Sequence, residues 1–409
     1  MKKIILSLMA LSSLTASAQF GPQRGNPIVP SVVENVVEDF KPASTNQDNK
    51  QYPMVNSQNM VRARISAPQA TFVGLDIAGK IYEMKKDENG VWTGTSAPQD
   101  EGFHYYQLNI DGASVPDPGS LYYYGASRWG SGIEIPSADQ DFWQVKNVPQ
   151  GSMSEVFYYS SYTEKMRRCH VYLPNEYFTN PTKKFPVLYL QHGMGENEYG
   201  WAEQGHTAQI MDNLIAEGKA VPCIIVMDNG LNTRRPGEQG GFGGFGGGQR
   251  PQGQRPQGAP GQGGPRRGGF GGFSEGFKNV LFNDIIPMVE KNYRVIADPQ
   301  HRAYAGLSMG GMQAREITLA NPEKFAYVGS FSSGAWNVEQ VKGSEGFAKN
   351  VKLLFMSGGG KENMGCVEAA KNIKEQLGMN AVGYESPETA HEWHTWRRSL
   401  YQFAQLMFK

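Results

Sequence analysis

Two different patterns of hydrophobic and polar residues divide this chain. From Tyr52 to about Val148, short runs of alternating apolar and polar residues are separated by turn signals such as Asp111-Gly112. Alternation with a period of two is typical of strands that bury one face, so this region is predicted to form a small all-β sandwich. The runs are Met60–Ile65, Phe72–Ile77, Val91–Thr95 and Phe103–Ile110.

After Gly151, β-like runs alternate with helical stretches. This order predicts an α/β fold with a doubly wound, mainly parallel sheet whose two faces are covered by helices. Ligands bind such sheets beyond the carboxyl ends of the strands, so the chemistry is expected in the loops that follow them. The predicted strands are Val156–Tyr159, Arg168–Leu173, Val187–Gln191, Cys223–Met227, Ala303–Leu307, Tyr327–Phe331, Lys352–Met356 and Val382–Glu385, and the predicted helices are His206–Glu217, Phe277–Tyr293, Gly311–Ala320 and Val367–Leu377.

The first residues have the features of an export signal. Met1–Ala18 has a basic start, an apolar run and a small-residue cleavage site, Ala16-Ser-Ala18. We therefore predict a cleavable signal peptide and a secreted or periplasmic protein. The apolar run is too short to cross a bilayer and no later run is longer, so no membrane insertion is expected.

Composition completes the predicted domain organisation. Residues 19–50 are polar and interrupted by proline, which predicts a flexible tether before a sandwich domain at 51–150. The α/β domain is predicted at 155–409. Within it, residues 237–273 are close to half glycine, with Gln, Pro, Arg and Phe, so they are predicted to form a disordered surface insertion.

Charge and cysteine content exclude several partners. Lys+Arg and Asp+Glu both count 39, so the formal net charge is zero and nucleic acid is not an expected partner. The three cysteines are too few and too scattered for a disulfide scaffold or a metal knuckle, although one disulfide remains open. No metal and no cofactor are expected, and the oligomeric state is left open.

The strongest chemical motif is Gly306-Leu-Ser308-Met-Gly310, which follows a short apolar strand and precedes a helix ended by Asn321-Pro322. In a nucleophile elbow, a serine occupies a strained strand-to-helix turn, and glycine two residues to either side lets the neighbouring backbone approach. Ser308 is therefore the candidate nucleophile, whereas the alternative is a plain glycine-rich turn.

A serine nucleophile needs a base and an acid. His391 and His394 lie in the loop after the last predicted strand, where the α/β-hydrolase order Ser, acid, His places the base; His391 is preferred because it comes earlier in the loop. The acid should follow strand Lys352–Met356. Glu362 is the carboxylate in that turn, beside Asn363, and is the candidate acid.

The developing oxyanion needs backbone N–H donors. One normally belongs to the residue after the nucleophile, here Met309, and the other is expected from Met194 in His192-Gly-Met-Gly195. Three tryptophans in site loops are candidates for stacking on substrate, with packing as the alternative for each: Trp201, Trp336 and Trp393.

With these motifs in place, residues 155–409 resemble carbohydrate esterase family 1, the secreted acetylxylan and feruloyl esterases with an α/β-hydrolase fold. The matching stretches are Val187–Glu198, Ile224–Gly230, His301–Gln313 and Ala390–Leu400. Tyr52–Phe142 is similar to the early-set immunoglobulin-like modules, akin to family-48 carbohydrate-binding modules, that precede such esterases. The chain departs from the family where an aspartate is usual, since Gly360-Lys-Glu-Asn363 carries Asn363 at that position.

The resemblance implies a secreted serine esterase that removes acetyl or feruloyl groups from plant cell-wall polysaccharides such as xylan. In it, Ser308 is the nucleophile, His391 the base and Glu362 the acid that replaces the usual aspartate. The alternative is a catalytically weakened esterase scaffold that binds glycan, with its acid lost at Asn363. The side chain that accepts a hydrogen bond from His391 Nδ1 separates the two.

Overall fold

A computed structural model describes residues 25–237 and 271–409 of the chain, with the side chains of 271–273 left aside. The predicted signal peptide at 1–18 lies outside these residues. So does the predicted insertion at 237–273, except at its two ends. In the described part, no helix is long and apolar enough to cross a membrane.

The N-terminal strands form two β-sheets that share one apolar core. Within the described residues, one sheet has the strand order β1-β6-β5-β9-β12-β11, with β10 paired to β9, and the other has the order β2-β3-β4-β8-β7. Side chains of both sheets, among them Val61, Leu75 and Tyr106, meet in this core. The strands are β1 Ile28–Pro30, β2 Lys41–Pro42, β3 Met54–Val55, β4 Met60–Ser66, β5 Val73–Ile77, β6 Lys80–Glu83, β7 Lys85–Lys86, β8 Val91–Pro98, β9 Gly102–Ile110, β10 Ala113–Val115, β11 Tyr122–Gly125 and β12 Arg128–Ile135.

The remaining strands form a third sheet, in the order β13-β14-β16-β15-β17-β18-β19-β20 within the described residues. The first two pairings are antiparallel and those from β16 to β20 are parallel, so the carboxyl ends of the parallel strands meet at one edge. The predicted α/β sheet is confirmed. The strands are β13 Ser152–Ser160, β14 Lys165–Leu173, β15 Val187–Gln191, β16 Ile224–Asp228, β17 Arg302–Leu307, β18 Tyr327–Phe331, β19 Leu353–Gly359 and β20 Ala381–Ser386.

Helices cover both faces of this sheet. Apolar side chains of helices and strands form two separate buried clusters. A π-helical turn, Leu281–Ile285, joins two helices where one continuous helix was predicted. The α-helices are α1 Asn175–Thr179, α2 Thr207–Ala216, α3 Gly271–Val280, α4 Ile286–Asn292, α5 Met309–Ala320, α6 Val338–Lys342, α7 Phe347–Asn350, α8 Cys366–Leu377 and α9 Trp393–Ala404.

The predicted tether differs from the structure over its described part. Residues 28–30 form β1, which pairs in parallel with β6, and residues 41–42 form β2, which pairs with β3. Proline and polar residues are compatible with short edge strands, since an edge strand needs hydrogen bonds on one side alone. The prediction of little fixed structure is therefore wrong for residues 28–30 and 41–42.

The sandwich contacts the α/β part of the chain along β9. Its residues alternate between two cores: Tyr106 and Leu108 face the sandwich interior, whereas Phe103 and Tyr105 join the cluster that covers the α/β sheet. This explains why β9 has seven consecutive buried residues although it is antiparallel to each strand that it pairs with. The two parts of the chain therefore pack through a common apolar core.

Candidate active site

Ser308 occupies the turn between β17 and α5. Its backbone has φ 49° and ψ −115°, a region that L residues rarely adopt. A Cβ at Gly306 would lie 2.4 Å from the Gly310 carbonyl carbon, and a Cβ at Gly310 would lie 2.6 Å from the His192 carbonyl oxygen. Both glycines of the motif are thus required by close backbone approach, which fits the predicted nucleophile elbow.

His391 connects Ser308 to Glu362. The Ser308 Oγ lies 2.9 Å from His391 Nε2, and His391 Nδ1 lies 2.7 Å from Glu362 Oε1. With a proton on Nδ1, the imidazole donates to the carboxylate and Nε2 can accept the serine proton. Three residues from the loops after β17, β19 and β20 therefore form one hydrogen-bonded chain.

Several donors hold the Glu362 carboxylate. Its Oε2 accepts from the Ser332 hydroxyl at 2.6 Å and from the Gly359 N–H at 2.7 Å, while Oε1 faces His391. Burial raises the pKa of Glu362, but the hydrogen bond and charge of His391, together with these two donors, outweigh burial and lower the pKa below its ordinary value. The carboxylate is therefore ionised at neutral pH.

The other candidates for acid and base lie elsewhere. Asn363 is exposed with φ 52°, and its amide contacts the Lys361 carbonyl. His394 is buried within α9, 3.3 Å from an Asp139 carboxylate oxygen, and burial lowers its pKa to about 4. The geometry thus connects Ser308 to His391, and His391 to Glu362, rather than to His394 and Asn363.

The loop that follows β15 packs against the serine. A Cβ at Gly193 would lie 3.3 Å from the Ser308 Cβ, so the backbone that leads into Met194 passes directly beside the nucleophile. Met309 is the first residue of α5, where N–H groups lack partners within the helix. Both predicted oxyanion donors thus belong to segments that border Ser308.

His192 fixes the start of this loop and was missed by the sequence analysis. Its Nδ1 lies 2.7 Å from the Gly193 carbonyl, and its Nε2 accepts from the Gly230 N–H at 3.0 Å. Burial lowers its pKa to about 4, so the ring is neutral at pH 7. The signal that could have identified His192 is its position directly after a parallel strand, β15. Ser332 was missed as well, and it follows β18 in the same way.

The three tryptophans proposed to stack on substrate are 1% exposed each. Each indole N–H donates inside the protein: Trp201 to the Gln191 carbonyl, Trp336 to the Ser330 hydroxyl and Trp393 to the Tyr105 hydroxyl. A ring with no exposed face offers no stacking surface, so substrate stacking is wrong for these residues in this structure. Packing, the alternative stated from the sequence, describes them.

Metal ligands and thiols are not gathered at the site. In residues 25–237 and 271–409, no group of three or more His, Cys, Asp or Glu side chains is arranged to hold a metal ion. Cys169, Cys223 and Cys366 are all buried and free, so the disulfide that the sequence left open does not form between them. The arrangement around Ser308 suits nucleophilic attack followed by proton transfer through His391.

The doubly wound sheet and the serine on its strand-to-helix turn define an α/β-hydrolase. A sequence model of the Esterase family matches residues 160–406. The chain belongs to this family, and the resemblance stated from the sequence is confirmed at that level.

Individual relatives agree with the family assignment. The chain is 42% identical over 381 residues to an endo-1,4-beta-xylanase/feruloyl esterase of Xylanibacter ruminicola, an alignment that covers 91% of this chain and 48% of the relative. This chain therefore spans about half the length of that protein.

Solved structures with low identity share the fold. The enterobactin esterase of Shigella flexneri matches with a TM-score of 0.58 at 15% identity, covering 85% of this chain and 92% of the other. A CE1 ferulic acid esterase of Anaeromyces mucronatus matches with a TM-score of 0.50 at 21% identity, covering 66% of this chain and 96% of the other. The wider coverage of the first extends the fold match to the N-terminal β-strands.

Proposed function

We propose that this protein is a secreted serine esterase that hydrolyses acetyl or feruloyl esters on plant cell-wall polysaccharides such as xylan. The observation that carries the proposal is the chain of hydrogen bonds from Ser308 Oγ through the two nitrogens of His391 to Glu362 Oε1, at 2.9 and 2.7 Å. Such spacing suits transfer of the serine proton to a base that a buried carboxylate orients.

The proposed reaction has two halves. Ser308 Oγ attacks the ester carbonyl while its proton passes to His391 Nε2, and Glu362 stabilises the imidazolium that forms. The N–H groups of Met309 and Met194 hold the oxyanion. His391 then gives the proton to the departing alcohol. In the second half, a water molecule attacks the acyl-enzyme carbonyl while its proton passes to His391, and His391 returns that proton to Ser308 Oγ as the acid leaves.

The substrate class rests on similarity and on the chemistry of the site. The relative from Xylanibacter ruminicola is named as a xylanase and feruloyl esterase, and a structural relative was solved in complex with ferulic acid. Because this chain spans about half of the first relative, its polysaccharide target and its export remain part of the proposal.

A glycan-binding scaffold with a lost acid is the weaker candidate. It was motivated by Asn363 at the position where the family often has aspartate. The structure gives His391 Nδ1 a carboxylate partner in Glu362, and the lowered pKa of that group keeps it charged at neutral pH. The premise of a missing acid therefore has no support in the geometry.

The test is hydrolysis of 4-nitrophenyl acetate, methyl ferulate and acetylated xylan by the full chain and by Ser308→Ala. We expect the wild type to hydrolyse at least one ester and Ser308→Ala to lose that activity while remaining folded. Ser344→Ala is the control, because the Ser344 hydroxyl donates to the Leu319 carbonyl and takes no part in the proposed chain. Turnover by Ser308→Ala would remove Ser308 from the mechanism.

The panel also separates the two candidate functions. A wild-type protein that hydrolyses none of the three esters but retains binding to acetylated xylan would favour the glycan-binding scaffold. The relative rates on methyl ferulate and acetylated xylan would assign the acyl preference.

A further inference from the structure

One buried hydroxyl joins the β-sandwich to two loops of the candidate site. Tyr105 Oη donates to the Glu196 carboxylate, with oxygen separations of 2.9 and 3.1 Å. It also accepts from Gln204 Nε2 at 2.5 Å and from Trp393 Nε1 at 3.1 Å. Tyr105 lies on β9 of the sandwich, whereas its three partners belong to the α/β part of the chain.

The partners of Tyr105 are close in sequence to the proposed machinery. Glu196 comes two residues after Met194, in the loop whose Gly193 lies against Ser308. Trp393 comes two residues after His391 and stacks edge-to-face with Trp396, which in turn packs edge-to-face against the His391 ring. The hydroxyl therefore contacts both the oxyanion segment and the base segment.

This contact is shielded from solvent. Tyr105 is 5% exposed, Glu196 3%, Gln204 0% and Trp393 1%. Burial raises the pKa of Tyr105 far above its ordinary value, so the phenol stays protonated and can donate a hydrogen bond to the Glu196 carboxyl group. Removal of the hydroxyl would leave a buried carboxyl group without this donor.

A second contact from the sandwich holds the same loop. The turn between β11 and β12 approaches it, and the Ser127 N–H donates to the Gly195 carbonyl at 2.8 Å. The Ser127 contact is made to the peptide that links Gly195 to Glu196, and the Tyr105 contact to the Glu196 side chain. The loop beside Ser308 is thus anchored to the sandwich at two consecutive residues.

We propose that Tyr105 is a positioning residue for the ester hydrolysis proposed above, because its hydroxyl anchors the loop that carries the Met194 amide. The inference rests on that proposed function. It assigns the sandwich a role in the geometry of the oxyanion site. The Tyr105 hydroxyl is buried against Glu196, Gln204 and Trp393, so its effect is exerted through Glu196 and the loop.

The test compares Tyr105→Phe with Tyr106→Phe on 4-nitrophenyl acetate. Tyr106 is the neighbour on β9, is fully buried and donates to Asp117 at 2.8 Å, but it faces the sandwich core. Both changes delete a buried phenol hydroxyl bonded to a carboxylate. We expect Tyr105→Phe to lower kcat by roughly ten- to a hundredfold with KM nearly unchanged, because small misplacement of catalytic groups has effects of this size. Tyr106→Phe should leave kcat unchanged.

Inhibition by phenylboronic acid is a second measurement, and it tests the oxyanion site directly. Phenylboronic acid accepts a lone pair from Ser308 Oγ to give a tetrahedral anion, and the serine proton passes to His391. If the loop is misplaced, Tyr105→Phe should weaken this inhibitor by about the factor lost in kcat, whereas Tyr106→Phe should not. Equal kcat and equal inhibition in Tyr105→Phe and wild type would overturn the proposal.

The loop side of the contact provides an independent variant. If Tyr105→Phe does not fold, Glu196→Leu removes the same hydrogen bond and is measured in the same way. If both fold, the double variant should lose no more activity than the larger single loss, since both cut one contact. Additive losses would contradict the proposal. Absence of wild-type esterase activity would instead refute the proposed function.

Discussion

Glu362 and Glu196 are two glutamates near the candidate active site whose side chains are largely covered, yet their pKa values move in opposite directions. For each of them burial is the largest influence and raises the pKa. Glu362 ends below its ordinary value because the His391 ring, the Ser332 hydroxyl and the Gly359 N–H outweigh burial. Glu196 ends at about 8, because the neutral Tyr105 hydroxyl offsets only part of the burial effect.

The contrast has two causes: Glu362 is less deeply buried than Glu196, and more hydrogen-bond donors surround its carboxyl oxygens. A carboxylate that accepts hydrogen bonds from an imidazole N–H and from two further donors stays ionised and can stabilise an imidazolium. A carboxyl group that faces one neutral phenol holds a proton over much of the neutral range. Glu362 is therefore suited to charge stabilisation, and Glu196 to a hydrogen-bonded anchor.

Replacement of the charged glutamate should have the largest effect. Glu362→Gln keeps the shape of the side chain but removes the charge that orients and stabilises His391. By analogy with the Asp→Asn change in serine proteases, kcat on 4-nitrophenyl acetate should fall by about 10⁴. The measurement is kcat at pH 7 together with the melting temperature, so that lost folding is not mistaken for lost catalysis.

Asn363→Asp is the matched control for this prediction. Asn363 is exposed and its side chain contacts the Lys361 carbonyl, so a carboxylate there should change kcat little. A nearly silent Glu362→Gln combined with a gain in Asn363→Asp would move the acid to position 363. That outcome would also remove the difference in role between Glu362 and Glu196.

Replacement of Glu196, which holds a proton over much of the neutral range, should change the pH dependence of stability. The Glu196 pKa is about 8 in the folded protein and near 4.5 in the unfolded chain, so the folded state binds more protons between these values. Stability should therefore fall as pH rises from 4.5 through 8. The contribution is a few kcal/mol, since each pKa unit corresponds to about 1.4 kcal/mol.

Glu196→Gln removes this titration while retaining an acceptor for Tyr105. The free energy of unfolding, measured by urea titration at several pH values from 5 to 9, should fall less steeply in the variant than in the wild type. Parallel curves for the two proteins would mean that Glu196 ionises normally, and the contrast with Glu362 would fail.

Loss of one donor on Glu362 should have a smaller effect. Ser332→Ala leaves the His391 and Gly359 contacts but deletes a hydrogen bond to a charged group, which typically contributes about 1.5–3 kcal/mol. The free energy of unfolding at pH 7 should fall by this amount, and the Glu362 pKa should rise. Stability that depends on ionised Glu362 is lost as pH falls through its folded pKa, so the acid limb should move to higher pH.

Ser333→Ala is the control for this prediction. The Ser333 hydroxyl lies 2.5 Å from the Ser330 hydroxyl, a contact between neutral groups, so its removal should lower stability by about 1 kcal/mol and leave the acid limb in place. An equal effect of the two serine variants at every pH would show that Ser332 does not support the charge on Glu362.

Local pattern was sufficient for much of the fold and for the core of the candidate site. The alternating runs predicted β4, β5, β8 and β9 with ends within three residues, and the β–α alternation predicted the parallel sheet. Ser308 was predicted as the candidate nucleophile because its turn requires glycine on both sides. His391 and Glu362 were predicted as its partners because the carboxyl ends of parallel strands lie at one edge of the sheet, so the order along the chain indicates which loops lie together.

Other features depend on contacts between segments distant in sequence. Whether Trp201, Trp336 and Trp393 were exposed or buried depended on what packed against them, which no local pattern records. The strands at 28–30 and 41–42 form because β6 and β3 offer edges to them.

The chain alone was sufficient to predict the periodicities, a candidate nucleophile turn and the order of the candidate triad, because these follow from local geometry and strand direction. The charge of the two glutamates depends on the fold. Glu362 and Ser332 are 30 residues apart, and Tyr105 and Glu196 are 91 apart. Burial and donor placement across such separations are properties of the folded chain alone, since a pKa depends on every group that surrounds the carboxyl oxygens.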